Sequence, residues 1–104
     1  MESSEHEGPS WTFLSNHGHT LLCIARDSNI RVRDIARAVG ITERGVHRIL
    51  AELEDAGVIS RHREGRRTHY FINDGVPLRH PIESHHSVGE LLKLADGSWP
   101  ENTP

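Results

Sequence analysis

The stretch Arg33-Asp34-Ile35-Ala36-Arg37-Ala38-Val39-Gly40-Ile41-Thr42-Glu43-Arg44-Gly45-Val46-His47-Arg48-Ile49-Leu50 decides how this chain folds. Its apolar spacing predicts two short amphipathic helices joined by a tight turn at Gly40. Ala36, four residues before that glycine, is small enough to let two helices cross closely. Ile35, Val39, Ile41, Val46 and Ile49 supply the apolar faces that pack them together. Gly40 stands where a positive φ is most useful, and Thr42 can cap the second helix. With those faces turned inward, Glu43, Arg44, His47 and Arg48 are left on the outside. A rigid, basic, solvent-facing helix held at a fixed angle is what reading a DNA major groove requires.

Outward from this stretch, the chain divides into a flexible tail (1–12), one domain (13–95) and a second flexible tail (96–104). A first helix is expected over 17–26, capped by Ser15 or Asn16, with Leu14, Gly18, Leu21, Leu22 and Ala25 at helical spacing. Asp27-Ser28-Asn29 ends it, and Ile30-Arg31-Val32 is expected to be a short extended piece, a minimal edge strand. The second helix is expected over 33–39. The third starts at Thr42 and reaches about Ala56, burying Val46, Ile49, Leu50 and Leu53 before Gly57 stops it. Residues 58–63 predict a strand, Glu64-Gly65 a turn, and 66–72 a returning strand rich in β-branched and aromatic residues. After a linker over 76–81, Ser84 or Ser87 caps a last helix through Val88, Leu91, Leu92 and Ala95.

The 104 residues suit one domain with a modest, mostly aliphatic core. No apolar run approaches the roughly 18 residues of a membrane span, and Met1 to Glu5 does not start like a secretory signal. A lone cysteine, Cys23, excludes an internal disulfide framework and fits a reducing cytoplasm. It is expected to be a small core residue rather than a redox switch. The net charge of −3 conceals a partition: residues 1–25 carry −3, residues 26–73 carry ten Arg against seven acids for +3, and residues 74–104 carry −3. The positive charge therefore sits in the helix-turn-helix segment, and that distribution matters more than the sum for steering toward phosphate.

The order helix, helix, outward-facing helix, hairpin, final helix resembles the ArsR/MarR-type bacterial repressors. The likeness is carried by Ile35-Ala36-Arg37-Ala38-Val39-Gly40-Ile41-Thr42, by Ile49-Leu50-Ala51-Glu52-Leu53-Glu54-Asp55-Ala56-Gly57-Val58-Ile59, and by Arg63-Glu64-Gly65-Arg66-Arg67-Thr68-His69-Tyr70-Phe71. It implies a mainly α fold with a small β-hairpin: a winged helix-turn-helix with a three-helix core, a two-stranded wing and a C-terminal dimerisation helix. It also implies a cytoplasmic homodimer that binds double-stranded DNA at a pseudo-palindromic operator and represses transcription. The ArsR-like branch dimerises through its first and last helices, which points to Leu21, Ile24, Val88, Leu91, Leu92 and Leu94. Metal-sensing members place a cysteine pair where this chain has Asp34-Ile35-Ala36-Arg37, so a thiolate site there is excluded.

The expected recognition-helix contacts are Thr42, Glu43, Arg44, His47 and Arg48. Arg44 and Arg48 lie four apart on one face, and either could grip guanine O6 and N7. The expected wing contacts are Arg61, Arg63, Arg66 and Arg67, which suit a minor groove or flanking phosphates. Arg31 and Arg33 are further phosphate candidates. No cofactor is expected. The nine histidines leave one metal candidate, His80, His85, His86 and Glu90, with His86 and Glu90 four apart. A protein–protein winged-helix module and a metal-responsive sensor using those His/Glu ligands are the alternatives. An enzyme is not expected, because there is no glycine-rich phosphate loop and no Cys/His nucleophile pair at helpful spacing. Membrane association is not expected either, and the effector is not written in the sequence.

Overall fold

Hydroxyl side chains start three of the helices in the computed structural model, which describes residues 8–95. The Ser15 side chain accepts from the Gly18 N–H at 3.2 Å and opens α1 (Asn16–Arg26). Helix α2 (Val32–Val39) follows with no side-chain cap, and α3 (Glu43–Asp55) begins on Thr42. Strands β1 (Ile59–Glu64) and β2 (Arg67–Ile72) come next, then α4 (Val88–Leu92) and a 3₁₀ turn at Lys93–Ala95. Ser87 opens α4 with a capping box: its side chain accepts from the Glu90 N–H while its own N–H donates to Glu90 Oε1 at 2.8 Å. The tails expected at 1–12 and 96–104 lie outside the described residues, apart from 8–12.

Gly40 makes the turn between α2 and α3 in the left-handed region, at φ 89°, where a side chain is strained. Its N–H and that of Ile41 both return to the Ala36 carbonyl, at 2.8 and 3.1 Å. Ile35, Val46 and Leu50 are fully buried beneath the turn, with Ile24 of α1 and Ile49 beside them. Tyr70 and Ile59 bring the hairpin onto the same core, and Val88 brings α4. The hairpin is antiparallel, with Ile59 opposite Ile72, Arg61 opposite Tyr70 and Glu64 opposite Arg67.

Several boundaries differ from the sequence expectation. Ile30-Arg31-Val32 is not a strand: Arg31 is the N-cap of α2, and its carbonyl accepts from the Ile35 N–H at 3.0 Å. β-Branched propensity loses here to a helix start. The hairpin turns on Gly65-Arg66 rather than Glu64-Gly65, with Gly65 at φ 63° in the first loop position, as a two-residue turn of the type II′ kind needs. The final helix is shorter than 88–95, because the Lys93 N–H bonds both Glu90 and Leu91 carbonyls and tightens the chain to 3₁₀. Ala25 is exposed, whereas Thr20, Leu21 and Ile24 turn inward.

The residues expected at a dimer interface are placed mostly inside the chain. Leu21, Ile24 and Val88 are only 3%, 1% and 4% exposed, because α1 and α4 close over the same core as α2 and α3. Leu91 and Leu92 are half-buried, and Leu94 alone of the six is exposed. Three of the six residues that the resemblance pointed to are thus spent on the chain's own packing. No helix among the described residues is long and apolar enough to cross a membrane.

Candidate nucleic-acid interface

The outer face of α3 carries Glu43, Arg44, His47 and Arg48, all exposed, since Val46, Ile49, Leu50 and Leu53 commit the other face to the core. Thr42 Oγ1 accepts from the Gly45 N–H at 3.0 Å, so its hydroxyl proton stays available for a phosphate. Arg44 has no ion pair among the described residues. Arg48 leans along the helix toward Glu52, Nη1 to Oε2 3.8 Å. Glu52 is in turn 2.6 Å from His17 Nε2 of α1. That hydrogen bond is the main reason the Glu52 carboxyl is held below the ordinary carboxylate range, with the Arg48 charge adding to it.

The wing arginines divide into struts and free cations. Arg61 is half-buried and spans from β1 to α3, with Nε at 3.2 Å and Nη2 at 2.8 Å from Glu54 Oε1. Its partner across the hairpin, Tyr70, is buried, which raises the phenol pKa; the Arg61 charge opposes that rise and Glu54 adds to it. Arg67 donates to the Asn29 carbonyl at 3.1 Å. Arg63 and Arg66 are exposed and unpaired among the described residues.

Sequence reasoning missed Asn29, which fixes the wing. Its side-chain NH2 reaches the Thr68 carbonyl at 3.4 Å and His69 Nδ1 at 3.0 Å. An amide nitrogen only donates, so Nδ1 of His69 accepts. Beside it, the Tyr70 N–H donates to the Ser28 carbonyl at 2.9 Å. The loop between α1 and α2 therefore lies along β2 and sets how the wing stands. Asp27-Ser28-Asn29 looked only like a helix stop, and nothing local in a polar tripeptide indicates a partner about 40 residues on.

These supports leave a groove between α3, the start of α2 and the wing, with a volume of about 430 Å³. Arg31, Arg61, Arg63, Arg66, Arg67 and His47 line it, and no acidic side chain does. Arg33 is exposed on the first turn of α2, outside this lining. A concave surface with five guanidinium groups, of which Arg61 is paired with Glu54, and with no acid in its own lining suits a polyanion.

Residues 16–60 match the family model described as winged helix-turn-helix, DNA-binding. The domain is a winged helix-turn-helix. That segment holds α1 to α3 and the first residues of β1, and the hairpin that follows is the wing. The chain is 48% identical over 49 residues to a riboflavin kinase of Thermococcus kodakarensis, a match over 47% of this chain and 23% of that protein. Among solved structures it is similar to MepR, a transcription regulator of the Staphylococcus aureus multidrug efflux pump MepA. That match has 23% identity and a TM-score of 0.49, and covers 79% of this chain and 52% of that one. The winged helix-turn-helix therefore spans about a quarter of the length of the kinase and half that of the regulator.

The candidate metal ligands do not converge. The His85 and His86 rings lie 4.1 Å apart and His86 Nδ1 is 3.0 Å from Glu90 Oε1, but His80 Nδ1 accepts from the Ile82 N–H at 3.0 Å. Glu90 is engaged by the Ser87 backbone first and by His86 second, and both lower its carboxyl pKa. No group of three His, Cys, Asp or Glu side chains among the described residues could hold a metal ion. Cys23 is a half-buried free thiol, and burial pushes its pKa up against a smaller opposing effect of Arg26.

Proposed function

We propose that this chain is a cytoplasmic DNA-binding transcription regulator that lays α3 in the major groove and sets its wing on the flanking backbone. The observation that carries the reading is the acid-free arginine groove between α3 and the wing. In this reading Arg44 is the first base-contacting residue, because no internal acid holds it. Arg48 and His47 join it, Glu43 accepts from a cytosine amino group, and Thr42 takes a phosphate at the helix N-terminus. Arg63 and Arg66 are the exposed wing contacts, Arg31 and Arg33 bind phosphate, and Arg61 and Arg67 hold the wing while lending charge. The protein acts as a binder and not as an enzyme, and the activity of the Thermococcus kodakarensis kinase is not carried over. A homodimer acting as a repressor on a pseudo-palindrome, with half-sites about 34–36 Å apart, completes the reading. Leu94, Leu91 and Leu92 are the remaining contributors to its interface. No cofactor is part of it.

Binding to a promoter fragment followed against salt tests this reading. The slope of log affinity against log salt should flatten by about one unit for each phosphate that R63A/R66A no longer neutralises. R44A should cost about 1–3 kcal/mol on the preferred site and much less on random DNA. Salt-independent binding, or none, sinks the regulator reading.

A further inference from the structure

The wing has two faces, because alternate side chains of a strand point to opposite sides of the sheet. Arg61, Arg63, Thr68 and Tyr70 line the arginine groove. Ser60, His62, His69 and Phe71 alternate with them, and none of these four lines it. On this outer face three rings meet. The Phe71 ring centre lies 5.0 Å from that of His62, edge to face, and 4.6 Å from that of His69. His62 and His69 are direct partners across the hairpin. Phe71 keeps 50% of its surface exposed, whereas Tyr70 beside it keeps 4%. Phe71 is also no part of the apolar core, so packing within the chain does not account for it. Because the Asn29 amide donates to His69 Nδ1, the proton of that ring sits on Nε2, as a donor.

We propose that this outer face stacks an unpaired base of single-stranded DNA, with the phosphates of the strand toward Arg66 at the hairpin turn. Aromatic rings hold any base by its flat surface, and arginines hold the backbone. The charge of the hairpin selects this occupant. From Ile59 to Ile72 it carries four Arg and one acid, Glu64. Arg61 is held by Glu54, while Arg63 and Arg66 are unpaired among the described residues. A second copy would bring an equally basic wing against this one, and like charges oppose that pairing. A neutral apolar peptide would leave both arginines without a counter-charge. A duplex keeps its base faces inside its own stack, so it engages the groove and not the rings. The stacking site stands apart from the regulator reading; the choice of DNA over RNA rests on it, since the same wing then already lies on a DNA backbone.

Fluorescence anisotropy on the full chain at low salt, with a labelled oligothymidylate of about ten nucleotides, tests the site. The wild type should bind it, and F71A should bind it about fivefold or more weakly. F71L keeps apolar volume without a ring and should be as weak as F71A, whereas F71W should restore binding. An abasic strand of equal length should bind the wild type no better than oligothymidylate binds F71A. Duplex DNA should bind the wild type and F71A alike. The proposal is overturned by a wild type that does not bind oligothymidylate, by F71L equal to the wild type, or by an abasic strand that binds as well. Tighter binding of oligouridylate overturns the choice of DNA. A dimer in sedimentation that F71A abolishes would make this face an interface between copies and overturn the proposal as well. So would equal losses of duplex and single-strand binding in F71A, which would assign Phe71 to the shape of the wing. Duplex binding absent from the wild type would instead sink the regulator reading and leave the single-strand result standing.

Discussion

Thr20 sits wholly inside α1's packed face with its hydroxyl unpartnered among the described residues. A buried hydroxyl without a hydrogen bond costs free energy that an isosteric methyl does not. T20V keeps the β-branch and the volume, so it should stabilise the domain by about 1 kcal/mol, visible as a higher denaturation midpoint at an unchanged m-value. A lower midpoint would mean that the hydroxyl has a partner in solution. Gly40 works in the opposite direction. Its φ of 89° is strained for any residue with a Cβ, so G40A should destabilise by ~1 kcal/mol or more. Gly40 could be assigned from sequence because the requirement is local and only glycine meets it cheaply. Arg61 could not. It looked the same as Arg63 two residues on, yet one is a strut on Glu54 and the other is free, a difference made by α3 lying against one end of the hairpin.

The wing behaves as an element whose stance is set elsewhere. A two-stranded hairpin is marginal alone, and this one is held at its base by Ile59 and Tyr70 in the core and along its edge by Asn29. Removing the Asn29 amide should leave most of the burial intact and loosen only that edge. N29A should therefore lower DNA affinity several-fold with a small stability change, and the Tyr70 amide should exchange faster with solvent than in the wild type. Equal exchange rates would show that the Ser28 carbonyl holds β2 without Asn29. The elements themselves were largely legible: α1 to α3 and both strands fall within a few residues of their expected positions. Periodicity and caps carry that information. The misplaced pieces depend on non-local bonds. Ile30 to Val32 has strand-like residues but is recruited to start α2, and the last helix is shortened by hydrogen bonds that its spacing does not encode. The basic site was legible as a set of arginines, while its division into struts and contacts was not.

At the scale of the molecule, the basic central segment folds so that five of its arginines share one groove. The histidine-bonded acids lie elsewhere, at Glu52 on α3 and Glu90 on α4, and this gives stability a definite dependence on pH. Both carboxyls are held below their ordinary range, Glu52 by His17 first and Glu90 by the Ser87 backbone first. A carboxyl whose folded pKa is depressed contributes stability that is fully present above its unfolded pKa of about 4.3 and is lost as pH falls through the folded value. Lowering the pH from about 6 to about 3 should thus reduce the denaturant midpoint, and the decline should be shallower in E52Q/E90Q, where neither group can titrate. Both groups are exposed, so the difference will be modest and is best measured at low salt, where screening is least. The comparison also separates the two ends of the fold. E52Q removes the titrating group at the α1–α3 contact and E90Q the one at the cap of α4, so single variants should each show part of the shallower slope. A double variant as acid-sensitive as the wild type would show that neither hydrogen bond survives in solution, and the His17 link from α1 to the recognition helix would fall with it.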